Sequence, residues 1–152
     1  MTLGDGKGKH STSAHNGNGA AGPAWGPEAR PTVLVVEDEP ALRANIRRLL
    51  QDQGFNVLEA ENGATALQLL EGSGSPRIEL VLTDLRMPVM DGRQLASALA
   101  RRRPSLPIIF MSGFTAQLMD LRLVSPNLAF LSKPIRQEDL LAAVKAQLPG
   151  SR

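Results

Sequence analysis

The sequence predicts an α/β domain: a doubly wound, five-stranded parallel sheet with helices on both faces. Three observations carry that prediction. Five short apolar runs recur from residue 32 onward, and segments with apolar residues at helical spacing stand between them. That alternation is the order of a parallel sheet with crossover helices. Several runs are apolar without interruption, as strands covered on both faces are.

The elements follow in order. "TVLVV" at 32–36 is a β-branched run suited to a fully buried strand. Pro40 fits the first turn of a helix, and Leu42, Ile46, Leu49 and Leu50 recur at helical spacing until Gly54 stops it. "FNVLEA" reads as a second strand, and Ala66, Leu67 and Leu70 as a short helix ending near Gly72. "IELVLT" is the third strand; Leu95 and Leu99 lie one turn apart in a helix that Asp91-Gly92 starts as turn and cap. "PIIFM" is the fourth strand, and a weaker helix around Ala116 to Leu123 leads through Pro126-Asn127 to "LAFLS", the fifth. A last helix carries Leu140, Leu141, Val144 and Leu148 before Pro149-Gly150. Residues 1–31 are rich in Gly, Ser, Ala, Asn and Pro, with a lone aromatic at Trp25 and no periodicity, so a flexible tail is expected ahead of a domain at 32–148.

Composition excludes much chemistry. The 152 residues include no cysteine and no tyrosine, and the two histidines, His10 and His15, fall in the tail. Disulfides, thiolate metal sites and Cys nucleophiles are excluded, and a domain starting at residue 31 has no imidazole for a Ser-His-Asp triad or an HExxH site. Residues 31–152 hold 14 Lys and Arg against 13 Asp and Glu, a net charge of +1. That balance argues against a dedicated nucleic-acid surface. Arg101-Arg102-Arg103 before Pro104 ends a helical pattern, where cations meet the C-terminal dipole. No apolar run approaches a membrane span and none resembles a secretory signal, so a cytoplasmic protein is expected.

In an open doubly wound sheet, ligands sit beyond the carboxyl ends of the strands, where the winding reverses. The residues at those ends are Glu37 and Asp38 after the first strand, Asp84 after the third, Ser112 after the fourth and Lys133 after the fifth. Singly, each has a plain explanation. An aspartate after a strand is usually a turn or cap residue, Ser112-Gly113 suits a turn, and Lys133 suits a solvated surface. Glu39 is read as an acid favouring the start of the first helix. Together the plain explanations fail on energy: two carboxylates about 4 Å apart repel by roughly 4 kcal/mol at an effective dielectric near 20. A divalent cation removes that cost, and an all-oxygen donor set suits Mg²⁺. Lys133 then faces the same anion as a second positive charge, with Ser112 as a hydroxyl donor. The site looks built to hold a phosphoryl group on a carboxylate.

These residues resemble the receiver domain of two-component response regulators. The resemblance rests on Glu37-Asp38 after "VLVV", "DLRMPVMDG" at 84–92, "MSG" at 111–113 and "KP" at 133–134, and covers residues 32 to about 148. It implies a flavodoxin-like sheet of strand order 2-1-3-4-5. By that resemblance Asp84 is the phospho-acceptor, supplied by the phosphohistidine of a sensor histidine kinase or a phosphotransfer protein. Glu37 and Asp38 are the acidic pair for Mg²⁺, with Asp84 and the backbone carbonyl of Arg86 as further ligands. Ser112 matches the hydroxyl that moves toward the phosphoryl group, and Lys133 the lysine that pairs with it. Phe130 falls at the family's switch aromatic; a plain core residue is the other reading.

The departures are Arg86, a long cation placed to screen attacking water or touch the phosphoryl group, and Phe130, which lacks a tyrosine's hydroxyl. Only four residues follow Leu148 and the tail has no DNA-binding pattern, so signalling through a protein target is expected, without nucleic acid or membrane contact. "FMSGF" and "AFLSKP" also resemble receivers attached to hybrid histidine kinases. Such a switch catalyses its own phosphorylation and dephosphorylation without being an enzyme in the ordinary sense. The alternative is an Mg²⁺-dependent phosphohydrolase that uses an aspartyl-phosphate. Phosphatases of that kind commonly place a second aspartate, as general acid, where this chain has Arg86.

Overall fold

The structure is a computed structural model that describes residues 30–74, 76–113 and 128–148. Its elements run β1 (Thr32–Val36), α1 (Pro40–Asp52), β2 (Asn56–Ala60), α2 (Gly63–Glu71), β3 (Leu80–Asp84), α3 (Gly92–Arg102), β4 (Ile108–Ser112), β5 (Leu128–Ser132) and α4 (Gln137–Gln147). The five strands are parallel, in the order β2-β1-β3-β4-β5. The expected helix around Ala116–Leu123, most of the tail and the Pro149-Gly150 stop lie outside the described residues.

Local chemistry sets the helix ends. Pro40 opens α1, where its missing N–H has no intrahelical partner to lose. Gly54, at φ 95°, then takes a left-handed turn that few side chains tolerate. Asn62 accepts from the Thr65 amide to cap α2. Asp91 caps α3 through a reciprocal box with Gln94, at 2.9 Å one way and 3.0 Å the other.

Strand alternation divides the core into two layers. Leu34, Val36, Val81 and Phe110 face α2 and α3 and meet Ala66, Leu70, Leu95 and Leu99. Val33, Val35, Leu80, Leu82, Ile109 and Met111 face α1 and α4 and meet Ile46, Leu50, Leu140 and Val144. β1, β3 and β4 are buried throughout, which explains their unbroken apolar runs. The arginine run joins two helix ends: Arg102 pairs with Glu71, and the Arg103 guanidinium donates to the Leu70 carbonyl at 2.8 Å.

Two strands differ from their expected limits in a way that matters for the site. β3 begins at Leu80 and extends through Asp84, which is in register with Met111, and β4 extends through Ser112, opposite Ser132. Asp84 and Ser112 are thus the last ladder residues of their strands rather than the first loop residues. Each is in register with one neighbouring strand, Asp84 with β4 and Ser112 with β5, so its backbone is held on that side and its side chain starts from a firmer base than a loop would give.

Candidate functional site

The winding reverses between β1 and β3, since β2 lies beyond β1 on one side and β4 and β5 lie beyond β3 on the other. The sequence-predicted residues gather at that point. Glu37 follows β1 and is 1% exposed. Its amide donates to the Ala60 carbonyl at 3.0 Å, which extends the β1–β2 ladder by one residue. Its carboxylate accepts from the Glu39 amide at 3.2 Å and from Lys133 Nζ at 3.3 Å. Lys133 Nζ also lies 3.1 Å from Asp84 Oδ2, and Asp84 Oδ1 accepts from the Leu85 amide at 2.8 Å. One ammonium therefore serves two carboxylates on neighbouring strands.

The backbone beneath Asp84 is held as tightly. The Thr83 hydroxyl donates to the Asp84 carbonyl at 2.9 Å. The Gly92 amide donates to the Leu85 carbonyl at 2.9 Å, and a Cβ at Gly92 would sit 2.3 Å from the Asp84 carbonyl oxygen. Glycine is required there because the start of α3 presses on the strand end, a reason beyond the turn role its sequence position suggests.

Asp38, exposed, completes an acidic group: Glu37, Asp38 and Asp84 each offer a carboxylate oxygen, all within 4.8 Å of one another. The electrostatics of the group are unbalanced. Burial pushes the Glu37 carboxyl up, the Glu39 amide pulls it down, Asp84 pushes it up again and Lys133 pulls it down, leaving it raised to about 7. Lys133 is lowered by burial, but the two carboxylates outweigh that and hold it above its ordinary value. A single shared ammonium is not enough to keep Glu37 fully ionised at neutral pH. The donor set is all oxygen and short of positive charge, so it fits a hard divalent cation.

The other predicted residues fall nearby. Ser112 is buried at the end of β4, and its carbonyl accepts from the Lys133 amide at 2.9 Å, so the hydroxyl-bearing and ammonium-bearing residues share one backbone bond. Arg86 carries an exposed side chain two residues beyond Asp84. Phe130 is half-buried and stacks on Phe110, with ring centroids 6.2 Å apart and planes inclined by 20°. That contact meets the core reading of Phe130 and leaves part of the ring accessible.

Sequence reasoning missed a second set of charges behind the first. Arg43 of α1 donates from Nη1 to the Glu37 carbonyl at 2.6 Å and from Nε to Glu59 Oε1 at 3.2 Å. Arg47 donates to Glu59 Oε2 at 2.8 Å. The signal available was the i, i+4 spacing of Arg43 and Arg47, with Glu59 as the one acid inside an otherwise apolar strand pattern.

Comparison with known proteins bears on the family and the fold. The family model for the response regulator receiver domain matches residues 33–145. The sensor kinase CckA of Brucella abortus is 37% identical over 118 residues, covering 77% of this chain and 12% of the kinase. The response regulator receiver protein CpdR of the same organism is 33% identical over 117 residues, covering 76% of this chain and 95% of its own length. The crystal structure of the receiver domain from the hybrid histidine kinase CckA superposes with a TM-score of 0.63 at 35% identity, covering 77% of this chain and 98% of that domain. This chain thus spans a minor part of several curated relatives, among them 45% of the positive alginate biosynthesis regulatory protein of Pseudomonas aeruginosa, and nearly all of CpdR.

Proposed function

Since the chain belongs to the response regulator receiver family, we propose that it is a phosphoacceptor switch in which Asp84 takes a phosphoryl group from a phosphohistidine of a partner protein. The observation that carries this reading is the placement of Asp84: it ends β3 with Oδ2 3.1 Å from Lys133 Nζ, in a group of three carboxylates that fits one divalent cation. Glu37, Asp38 and Asp84 would hold Mg²⁺, with the Arg86 carbonyl as a further donor. Bound there, Mg²⁺ supplies charge neutralisation on the phosphoryl oxygens.

The chain's own residues do the rest. A carboxylate oxygen of Asp84 attacks phosphorus in line as the bond to the donor imidazole breaks, and the imidazole leaves with the bonding pair. Lys133 Nζ, already beside Asp84, stabilises the equatorial oxygens. Positioning and charge supply most of the catalysis in phosphoryl transfer, and ladder-bound Asp84 is well positioned. The product carries about −1.5 to −2 charges where the free carboxylate carried one. Ser112 then donates its hydroxyl to the new oxygens, and Phe130, stacked on Phe110, changes its packing in response. The output is a changed protein-binding face along β5 and α4, read by a protein target in the cytoplasm. The phosphohydrolase reading gains nothing from the structure, because Arg86 offers no proton to a leaving group.

Adding beryllofluoride with Mg²⁺ is expected to shift backbone amide resonances of 37–39, 84–86, 112–113 and 133, and a second set along β5 and α4. Shifts confined to the first set would sink the switch while leaving the acceptor site standing; no shifts at all would sink both.

The raised Glu37 carboxyl gives a pH dependence. With its folded value at about 7 and its ordinary value at 4.5, the folded chain holds this proton more tightly than the unfolded chain. The group's contribution to stability without cation is fully present below 4.5 and is lost as pH rises through about 7. Cation binding must displace the same proton, so apparent Mg²⁺ affinity falls by up to about tenfold per unit below pH 7 and levels off above it. Mg²⁺ titrations at several pH values check this, and an affinity flat from pH 5.5 to about 8 would contradict it.

A further inference from the structure

Glu37 and Asp38 are joined by one peptide group, so whatever fixes the Glu37 carbonyl also fixes the direction in which Asp38 leaves β1. Arg43 holds it directly, and three further groups hold the residues around it. The Glu37 amide is tied to the Ala60 carbonyl of β2. The Glu37 carbonyl, on the other side of the residue, is taken by Arg43 Nη1 at 2.6 Å. The same guanidinium is held from behind by Glu59 of β2, and Glu59 is held by Arg47 one turn further along α1. A lone exposed ion pair holds little. Here the Arg43 fork is two-pronged, its side chain is only 21% exposed, and a second arginine saturates its acid partner.

We propose that Arg43, braced by Glu59 and Arg47, is a positioning residue that presets the Glu37–Asp38 peptide for a divalent cation. The proposal rests on the reading above that this acidic pair holds the cation. Arg43 touches neither cation nor phosphoryl group. Its effect is to remove in advance the freedom of the backbone between the two acids, as groups behind metal ligands do. Without it the carbonyl is free to turn to solvent, and each binding event must order the β1–α1 connection anew.

The test is a titration of the 152-residue chain with Mg²⁺ alone, followed by the amide resonances of 37–39 and 84–85, beside thermal melts that fix a temperature at which every variant is folded. Arg43→Ala is expected to weaken Mg²⁺ binding about tenfold, the lower end of the effect of such supporting groups. The Glu37 carbonyl carbon resonance should shift with the loss of its donor. Arg43→Lys, whose ammonium reaches the carbonyl or Glu59 but lacks the fork to hold both, is expected to fall between, and Glu59→Gln to weaken binding less than Arg43→Ala. A merely structural arginine would lower the melting temperature and leave the affinity of the folded protein unchanged. Wild-type affinity in folded Arg43→Ala overturns the proposal; if that variant does not fold, wild-type affinity in both Arg43→Lys and Glu59→Gln overturns it. Wild-type protein that binds no Mg²⁺, or binding unaltered by Glu37→Gln, overturns the site reading and this proposal together.

Discussion

Gly92→Ala is expected to destabilise the fold by about 2 kcal/mol or more and to slow phosphorylation of Asp84 on the order of 100-fold. The new Cβ would stand 2.3 Å from the Asp84 carbonyl oxygen and 3.1 Å from the Leu85 Cα. Both are backbone atoms, so no flexible side chain can swing aside. The strand end or the start of α3 has to move, and the first choice displaces the acceptor. The second pulls at the Gly92–Leu85 hydrogen bond and the Asp91–Gln94 cap. Urea unfolding reads the stability, and the rate of labelling by acetyl phosphate reads the displacement. A Gly92→Ala protein with wild-type stability and rate would show that α3 does not set the position of Asp84.

Lys133→Met separates cation binding from transfer. Nζ lies 3.1 Å from Asp84 and 3.3 Å from Glu37, so its removal takes the resident positive charge from both acids. A preorganised charge on developing oxygens is typically worth a factor of about 100 to 1,000 in rate, and a loss of that size is expected in labelling by acetyl phosphate. Lys133 also pulls the Glu37 carboxyl down, so without it that proton binds more tightly still. Above the titration of Glu37 the variant should bind Mg²⁺ at least as well as wild type, because a neighbouring cation has been removed. Mg²⁺ titration and labelling rates on one sample check the split. A rate within about tenfold of wild type would remove Lys133 from the mechanism.

The sheet was readable because β1, β3 and β4 are buried on both faces and so are written as unbroken apolar runs. Winding rules then place the strand ends together without any contact being known. That is why Glu37, Asp38, Asp84, Ser112 and Lys133 could be grouped from position alone. What could not be read depends on distances. The strand limits moved because pairing with Met111 and Ser132, not local propensity, carries Asp84 and Ser112 into the ladder. Gly92 read as a turn residue because its close approach to the Asp84 carbonyl comes from the packing of α3. The Arg43–Glu59–Arg47 brace links α1 to β2; the i, i+4 spacing places the two arginines on one helix face, but their meeting with Glu59 comes from the packing of α1 on β2. Phe130 stays between two roles for a related reason: its ring stacks on Phe110 and the residue is only partly buried, and that arrangement suits both a core residue and an aromatic able to move.

On the proposed reading, Asp84 alone accepts the phosphoryl group. Wild-type protein and Asp84→Ala should be incubated side by side with acetyl phosphate and Mg²⁺, and their intact masses measured before the aspartyl-phosphate decays. Wild type is expected to gain a single adduct of about 80 Da that hydroxylamine removes, and Asp84→Ala to gain none. An unmodified wild-type mass, or an adduct of the same size that persists in Asp84→Ala, would rule out Asp84 as the acceptor.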